Sequence, residues 1–208
     1  MSLAHRVSAF NRQRKWSLFL REIAPTESTR VLDVGFSEEE FSAADNFLEK
    51  HYPHPEKLTA LGIDTAKKFR ERYPLVTVVR YSGGEFPFAD KAFDVAWSNA
   101  VIEHVGDRDR QLLFLREIRR VSSRAFVTTP NRRFPVEVHT RVPLLHYLPK
   151  RQFDRCLRLM GKAWATGSYM NLLSLSDLKR LLTDAGIDDY EIFKNKLAGF
   201  TLDFVAIF

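Results

Sequence analysis

The apolar positions of this chain change period along its length, and the changes outline its elements. Val31–Gly35, Leu58–Asp64, Leu75–Tyr81, Phe93–Ser98 and Arg124–Thr129 are short, mostly apolar runs of strand length. Between them, Ser42–Lys50, Ala66–Tyr73 and Asp107–Val121 take helical spacing; in the last, Leu112, Leu115, Ile118 and Val121 share a face. A helix is predicted over 6–23, with Phe10, Leu18, Phe19 and Ile23 as its stripe and Pro25 as its end. Beyond Pro130 the alternation breaks. Residues 131–170 are rich in Arg, Pro and aromatics, with helical pieces near Leu144–Tyr147 and Gln152–Met160. A helix over Ser176–Ala185, opened by Asp177 and stopped by Gly186, precedes two strands, Tyr190–Asn195 and Thr201–Phe208.

Alternating strands and helices build βαβ units, hence a parallel sheet with helices on both faces. The last two strands lie too close in sequence for a crossover helix, so an antiparallel hairpin is expected. The expectation is an α/β fold: a doubly wound, mostly parallel, seven-stranded sheet with an antiparallel C-terminal hairpin and a helical cap insertion. A single domain over 1–208 is expected, with a basic helix at 1–24 and the cap at 131–170. In such sheets ligands bind beyond the carboxyl ends of the strands.

Composition narrows the class. The chain has 208 residues, 45% apolar and 28% charged, which supplies a core and argues against wholesale disorder. No apolar run approaches the ~18 residues of a membrane helix. The longest, Phe204–Phe208, is strand-sized, so no membrane insertion is expected. Arg, Asn and Gln interrupt the N-terminus, so no secretory leader is expected. The one cysteine, Cys156, excludes an internal disulfide and a Cys-rich zinc site, and points to a cytoplasmic location. The net charge of +6 is uneven. Residues 1–24 hold five basic side chains against one acid and 131–164 hold eight against two, on an otherwise acidic body. An anionic partner or a pair of solvated helix faces would each account for this.

The strand ends carry the chemistry. Gly35 directly after the first strand lets a backbone approach a ligand, and Asp33 beside it can hold a cation or an ammonium group. Asp64 ends the second strand, where a carboxylate can accept both hydroxyls of a ribose. Taken together, the strand ends resemble class I S-adenosylmethionine (SAM)-dependent methyltransferases, nearest the small-molecule group called type-11, with its Rossmann-like fold. V-L-D-V-G at 31–35 is similar to the family's opening motif. Glu85–Val95, Ser98–Val105 and Arg116–Val121 resemble its later segments, in order.

The resemblance implies SAM as cofactor and S-adenosylhomocysteine as product. Asp33 with the backbone of Gly35, Phe36 and Ser37 would hold the methionine end, and Asp64 the ribose. Ile63 and the loop of Ser82, Gly83, Gly84 and Glu85 would flank adenine. Asn99 and Ala100 would line the floor beneath the sulfonium. Two departures stand out: only the first glycine of the usual G-x-G-x-G is kept, followed by Phe36-Ser37-Glu38-Glu39-Glu40, and Ser82 holds a place often taken by an acid. The three acids disfavour a phosphate there, and with it a nicotinamide dinucleotide.

Methyl transfer needs a positioned nucleophile and a base. Glu137 and His139, at i and i+2 after the fifth strand, would lie on one side of an extended chain. His139 is the candidate base and Glu137 its orienter, unless His139 merely bonds a loop. His104 is a further candidate, or packs beneath the sheet. Asn131, Arg132, Arg133 and Arg141, with His146, Tyr147 and Tyr169, are candidate contacts for a small acceptor bearing phosphate or carboxylate; the cap aromatics could equally form a second core. The histidines are scattered, so no metal site is expected. Two other functions stay open: a degenerate SAM-fold partner or regulator without catalysis, and a nucleic-acid methyltransferase. The second lacks an N-P-P-Y end to strand four and a Pro-Cys nucleophile, so nucleic acid is not the expected partner. A monomer or homodimer is expected.

Overall fold

The computed structural model describes the backbone of residues 3–208 and the side chains from Val7 onward, Ser168 excepted. Residues 1 and 2 of the segment expected as a basic helix lie outside the described residues. The strands are β1 (Val31–Val34), β2 (Leu58–Gly62), β3 (Thr77–Arg80), β4 (Phe93–Asn99), β5 (Ser122–Pro130), β6 (Glu191–Leu197) and β7 (Phe200–Ile207). The helices are α1 (Leu3–Ile23), α2 (Phe47–His51), α3 (Lys67–Arg72), α4 (Arg108–Val121), α5 (Lys150–Leu159) and α6 (Leu175–Asp184). The seven strands run in the order β3-β2-β1-β4-β5-β7-β6. β1 pairs in parallel with β2 and β4, and β2 with β3, while β6 and β7 form the antiparallel hairpin. This is the doubly wound sheet expected from the alternation. No helix among the described residues is long and apolar enough to cross a membrane.

The chain divides into two compact units, Met1–Asn99 with Glu117–Phe126, and Ala100–Arg116 with Val127–Phe208. In the first, Phe19 of α1 is fully buried and meets Trp97 and Phe126 edge-on, at 5.1 and 5.5 Å between ring centroids. Trp97 stacks on Phe126 at 4.8 Å. The apolar stripe of α1 is therefore shorter than predicted. Trp16, Leu18 and Phe19 are buried, while Phe10 is exposed under the Arg14 guanidinium. Lys15, also buried, donates to Asn99 Oδ1 at 3.0 Å.

The helix predicted over 42–50 is reduced to one turn, α2. Asp45 Oδ2 accepts from the backbone of Phe41 and Ser42, and Asn46 sits in the left-handed region (φ 45°) with its amide bonded to Ser37. Short polar side chains thus offer this backbone an alternative to helix. A bidentate pair in the same unit anchors the loop before β4. Glu117 Oε2 accepts from Phe86 N, and Arg120 binds Glu117, the Phe86 and Phe88 carbonyls and Asp90.

In the second unit α6 begins with a reciprocal capping box between Ser174 and Asp177 and buries Leu178, Leu181 and Leu182. β7 is buried over Leu202–Ile207. Its partner β6 alternates outward-facing charge with partial burial and is bulged between Asn195 and Lys196. Within 131–170, Val142, Phe153, Leu157, Ala165 and Met170 form a small core of their own. The cap aromatics therefore divide: Phe153 is core, while Tyr147, Trp164 and Tyr169 are exposed.

Candidate active site

Several predicted cofactor residues sit at strand ends of the first unit. Gly35 takes φ 106°, which a side chain would resist, and its N–H bonds Leu61 O at 2.8 Å. Phe36 turns inward: it is buried against Phe69, and a Cβ on Gly62 would fall 2.7 Å from its ring. So this ring fills core space, and only its backbone is available to a ligand. Ser37 N donates to Asn46 Oδ1. The three acids that follow are held by neighbours. Glu38 accepts from Lys68 N, Glu39 pairs with Lys68, and Glu40 pairs with Lys50 at 2.7 Å.

Ile63 is 64% exposed, an unusual place for a large apolar side chain at a strand end. Asp64 beside it is exposed, and no hydrogen bond engages its carboxylate among the described residues. Ser82 and Gly83 are exposed, and Gly83 and Gly84 both have positive φ. These residues fit the nucleoside half of SAM: an uncommitted carboxylate for a diol, beside an apolar platform. Asp33 is placed differently. Its buried carboxyl neighbours Glu49 of α2, also buried, whose two oxygens have no hydrogen-bond partner; sequence reasoning did not single this residue out. Burial pushes Asp33 up to about 6, against the pull of Glu49 and Arg12. Burial, then the neighbouring Asp33, drives Glu49 well above the carboxylate range.

The second unit gathers a different centre. Glu103 and His104 lie in a short turn, Ile102–His104, that begins three residues beyond β4. His139 and Glu137 lie in a turn after β5. The extended geometry expected for them is corrected here. The contact forms because Glu137 collects the donors of a tight turn: Oε1 binds His139 N at 2.9 Å and Nδ1 at 2.8 Å, and Oε2 binds Thr140 N and Oγ1, both at 2.6 Å. Although 35 positions apart in sequence, His104 Nε2 and His139 Nε2 meet at 3.1 Å. His104 Nδ1 bonds Tyr169 O at 2.9 Å. Glu103 is fully buried. Its Oε2 accepts from Thr129 at 3.1 Å, while Oε1 has no hydrogen-bond donor. That oxygen lies 3.7 Å from His139 Nε2 and 4.0 Å from His104 Nε2.

Burial opposes a charged His139, but Glu137 and the nearby Glu103 outweigh it, so its pKa is raised. Burial likewise opposes a charged Glu137; its bonds from His139 and Thr140 prevail and hold it down at about 2. Sequence reasoning did not single out Glu103 as a site residue, because a lone Glu does not show which distant groups it meets. The signal available was its place between two apolar residues and a histidine, Val101-Ile102-Glu103-His104.

The methyltransferase-domain family matches residues 32–124. That span contains β1 to α4, with Asp33, Gly35, Asp64 and the Glu103–His104 turn. Slightly less than half of the chain is thus similar to a methyltransferase domain. The whole chain is also similar in fold to SAM-dependent methyltransferases of known structure. One from Methanosarcina mazei is 17% identical at a TM-score of 0.57, with 90% of this chain and 95% of that one covered. One from Mesorhizobium loti is 14% identical at 0.61, with 93% and 96% covered. A Thermotoga maritima protein described as a possible histamine N-methyltransferase is 18% identical at 0.60, with 99% and 90% covered. No curated protein matches the chain in sequence. These matches point to SAM as the cofactor.

The second unit has a cavity of about 390 Å³, lined by Arg108, Arg132, Lys150 and Arg180 together with His146 and Asn171. His146 is 5% exposed, and neither ring nitrogen has a hydrogen bond. Arg108 pairs with Asp184, Lys150 with Asp154 and Arg180 with Asp177; Arg132 has no ion pair among the described residues. Two of the predicted substrate residues, Arg132 and His146, therefore share one cavity. Asn131 does not stand free: its amide spans Thr201 O and Arg133 N, bracing the exit of β5. Tyr147 donates to Arg133 O, Arg141 is exposed in a left-handed turn, and the Tyr169 ring lies 5.0 Å from His104.

Proposed function

We propose that this chain methylates an oxygen or nitrogen nucleophile on a small acceptor bearing phosphate or carboxylate. The observation that carries the reading is the facing pair of imidazoles. Each Nδ1 donates to a fixed acceptor, so each Nε2 can present a lone pair, and the two converge beside a buried carboxylate oxygen. A proton leaving a hydroxyl or amine then has a receiver, and Glu137 orients His139 and stabilises the imidazolium. Bound SAM supplies a methyl carbon on a sulfonium, open to in-line displacement that releases S-adenosylhomocysteine.

In this reading Asp64 accepts the ribose hydroxyls, and Ile63 with Ser82–Glu85 flanks adenine. The Gly35–Ser37 backbone, Asn99 and Ala100 hold the methionine end. The cation-lined cavity with Arg132 and His146 supports an anionic acceptor. Arg133, Arg141, Tyr147 and Tyr169 would add contacts at its margin. The N-terminal helix supports a small molecule over nucleic acid, because Lys15 is buried on Asn99 and Arg14 lies over Phe10. One observation favours a second reading, a non-catalytic partner: Lys15 already occupies the Asn99 side chain expected beneath the sulfonium.

Calorimetric titration with SAM and S-adenosylhomocysteine decides between them. Saturable binding weakened at least about tenfold, ~1.4 kcal/mol, by Asp64→Ala is expected. Failure of the folded protein to bind either ligand overturns methyl transfer.

A further inference from the structure

We propose that Glu103, His104 and His139 bind one first-row divalent transition-metal ion. The three atoms that would ligate it are Glu103 Oε1 and the two Nε2 atoms. Their separations are 3.1, 3.7 and 4.0 Å. Metal–nitrogen and metal–oxygen bonds are ~2.0–2.2 Å long, so no two of these atoms are further apart than about two such bonds. A single ion reaches all three.

The surroundings are those of a ligand set. Both Nδ1 atoms are hydrogen-bonded outward, His104 to the Tyr169 carbonyl and His139 to the Glu137 carboxylate. That fixes the tautomer with Nε2 deprotonated, as in metal-bound histidines. Glu137 is itself held by the Thr140 backbone and hydroxyl. Two neutral imidazoles facing each other at hydrogen-bond distance repel unless a cation lies between them. The Glu103 oxygen beside them is buried without a donor, a costly state for a carboxylate. No Lys or Arg pairs with Glu103 or Glu137 among the described residues, so the two buried carboxylates lack permanent compensation. Two nitrogens and one oxygen suit zinc, iron, cobalt or manganese, and three protein ligands leave a position open.

The binding stands by itself; only the ion's role rests on the methyl-transfer reading. There, with both Nε2 lone pairs ligating, the ion would replace the imidazoles as activator: the open position would take an acceptor hydroxyl and lower its pKa. Its proton would leave to solvent, and the alkoxide lone pair would form the new O–CH₃ bond as the C–S bond breaks.

The test is a titration of the chelator-treated full chain with Co²⁺ alone, followed by visible absorption and calorimetry, with Zn²⁺ as competitor. One equivalent should bind, raise the unfolding temperature and be displaced by Zn²⁺. Affinity should fall at least tenfold in His139→Gln and in the half-exposed His104→Gln, and about 10–100-fold in Glu137→Gln through loss of His139 orientation. His54→Gln, remote in sequence from the cluster, should bind as wild type. Absence of saturable one-equivalent binding, or wild-type affinity in both cluster histidine variants, overturns the proposal. Since neither SAM nor acceptor is present, this failure is separate from that of methyl transfer. Metal binding without SAM binding would leave the ion site standing, and turnover by metal-free enzyme would leave methyl transfer standing.

Discussion

Two buried carboxylate centres, one in each unit, solve the same problem in opposite ways. Asp33 and Glu49 lie against each other, and burial pushes both acids up, Asp33 to about 6. Glu137 is equally enclosed, yet its imidazole, amide and hydroxyl donors outweigh burial and hold it at about 2. Burial pushes the first centre toward its protonated form; the second keeps its charge because four donors converge on it. Burial alone therefore says little about a carboxylate; the number of donors aimed at it decides. The first is suited to holding a strand end rigid, the second to charge and proton traffic.

The largest effect should come from breaking the charged centre. Glu137→Ala strands two backbone N–H groups, a hydroxyl and an imidazole, and is expected to cost about 3–5 kcal/mol, measured by denaturant unfolding. Glu137→Gln keeps an acceptor oxygen and should cost less. A near-neutral Glu137→Ala would show that the turn holds itself.

The acid pair should respond to pH in the reverse sense to an ion pair. A carboxyl raised in the folded state stabilises fully below its unfolded pKa, near 4, and loses that contribution as pH rises through the folded value, about 6 for Asp33. Glu49→Gln removes one of the two buried titrating groups and leaves an amide that can donate at every pH. Relative to wild type it should be unchanged near pH 4.5 and more stable at pH 8. Each tenfold of restored acidity is about 1.4 kcal/mol, or ~2–4 °C in unfolding temperature for a chain of this size. A difference independent of pH would show that the raised acids do not set this pH response.

The smallest effect serves as a baseline outside both centres. Ser174→Ala removes the α6 cap and should cost ~1 kcal/mol at any pH, with SAM and metal binding unaltered. Loss of either affinity would show that α6 supports a site rather than only itself.

What the sequence revealed and what it hid follow from the range of the interactions. The strands, the mostly parallel sheet and the places of Gly35 and Asp64 at strand ends were legible because the apolar alternation that marks each element is local. The Glu137–His139 contact was legible too, although a turn rather than an extended chain makes it. The helix at 42–50 was overestimated because apolar spacing does not register the side-chain bonds of Asp45 and Asn46. Glu49 and Glu103 were illegible as buried acids: their partners, Asp33 and His139, lie far away along the chain. The cavity cations Arg108, Lys150 and Arg180 come from three separate helices, and only folding assembles them around Arg132 and His146.

The bulged hairpin has a consequence for the crowded solution in which any protein works. β6 is the last strand in the order, so one row of its peptide groups faces no partner strand. An edge of that kind can recruit strands from other copies and grow into aggregates. Here Lys194 and Lys196 place positive charge along it, and the irregular step between Asn195 and Lys196, anchored by the buried Asn195–Asp203 bond at 2.8 Å, spoils the straight register that stacking needs. The edge discourages fibril growth by its shape as well as by its charge, which protects the chain even at high salt, where lysine repulsion is screened.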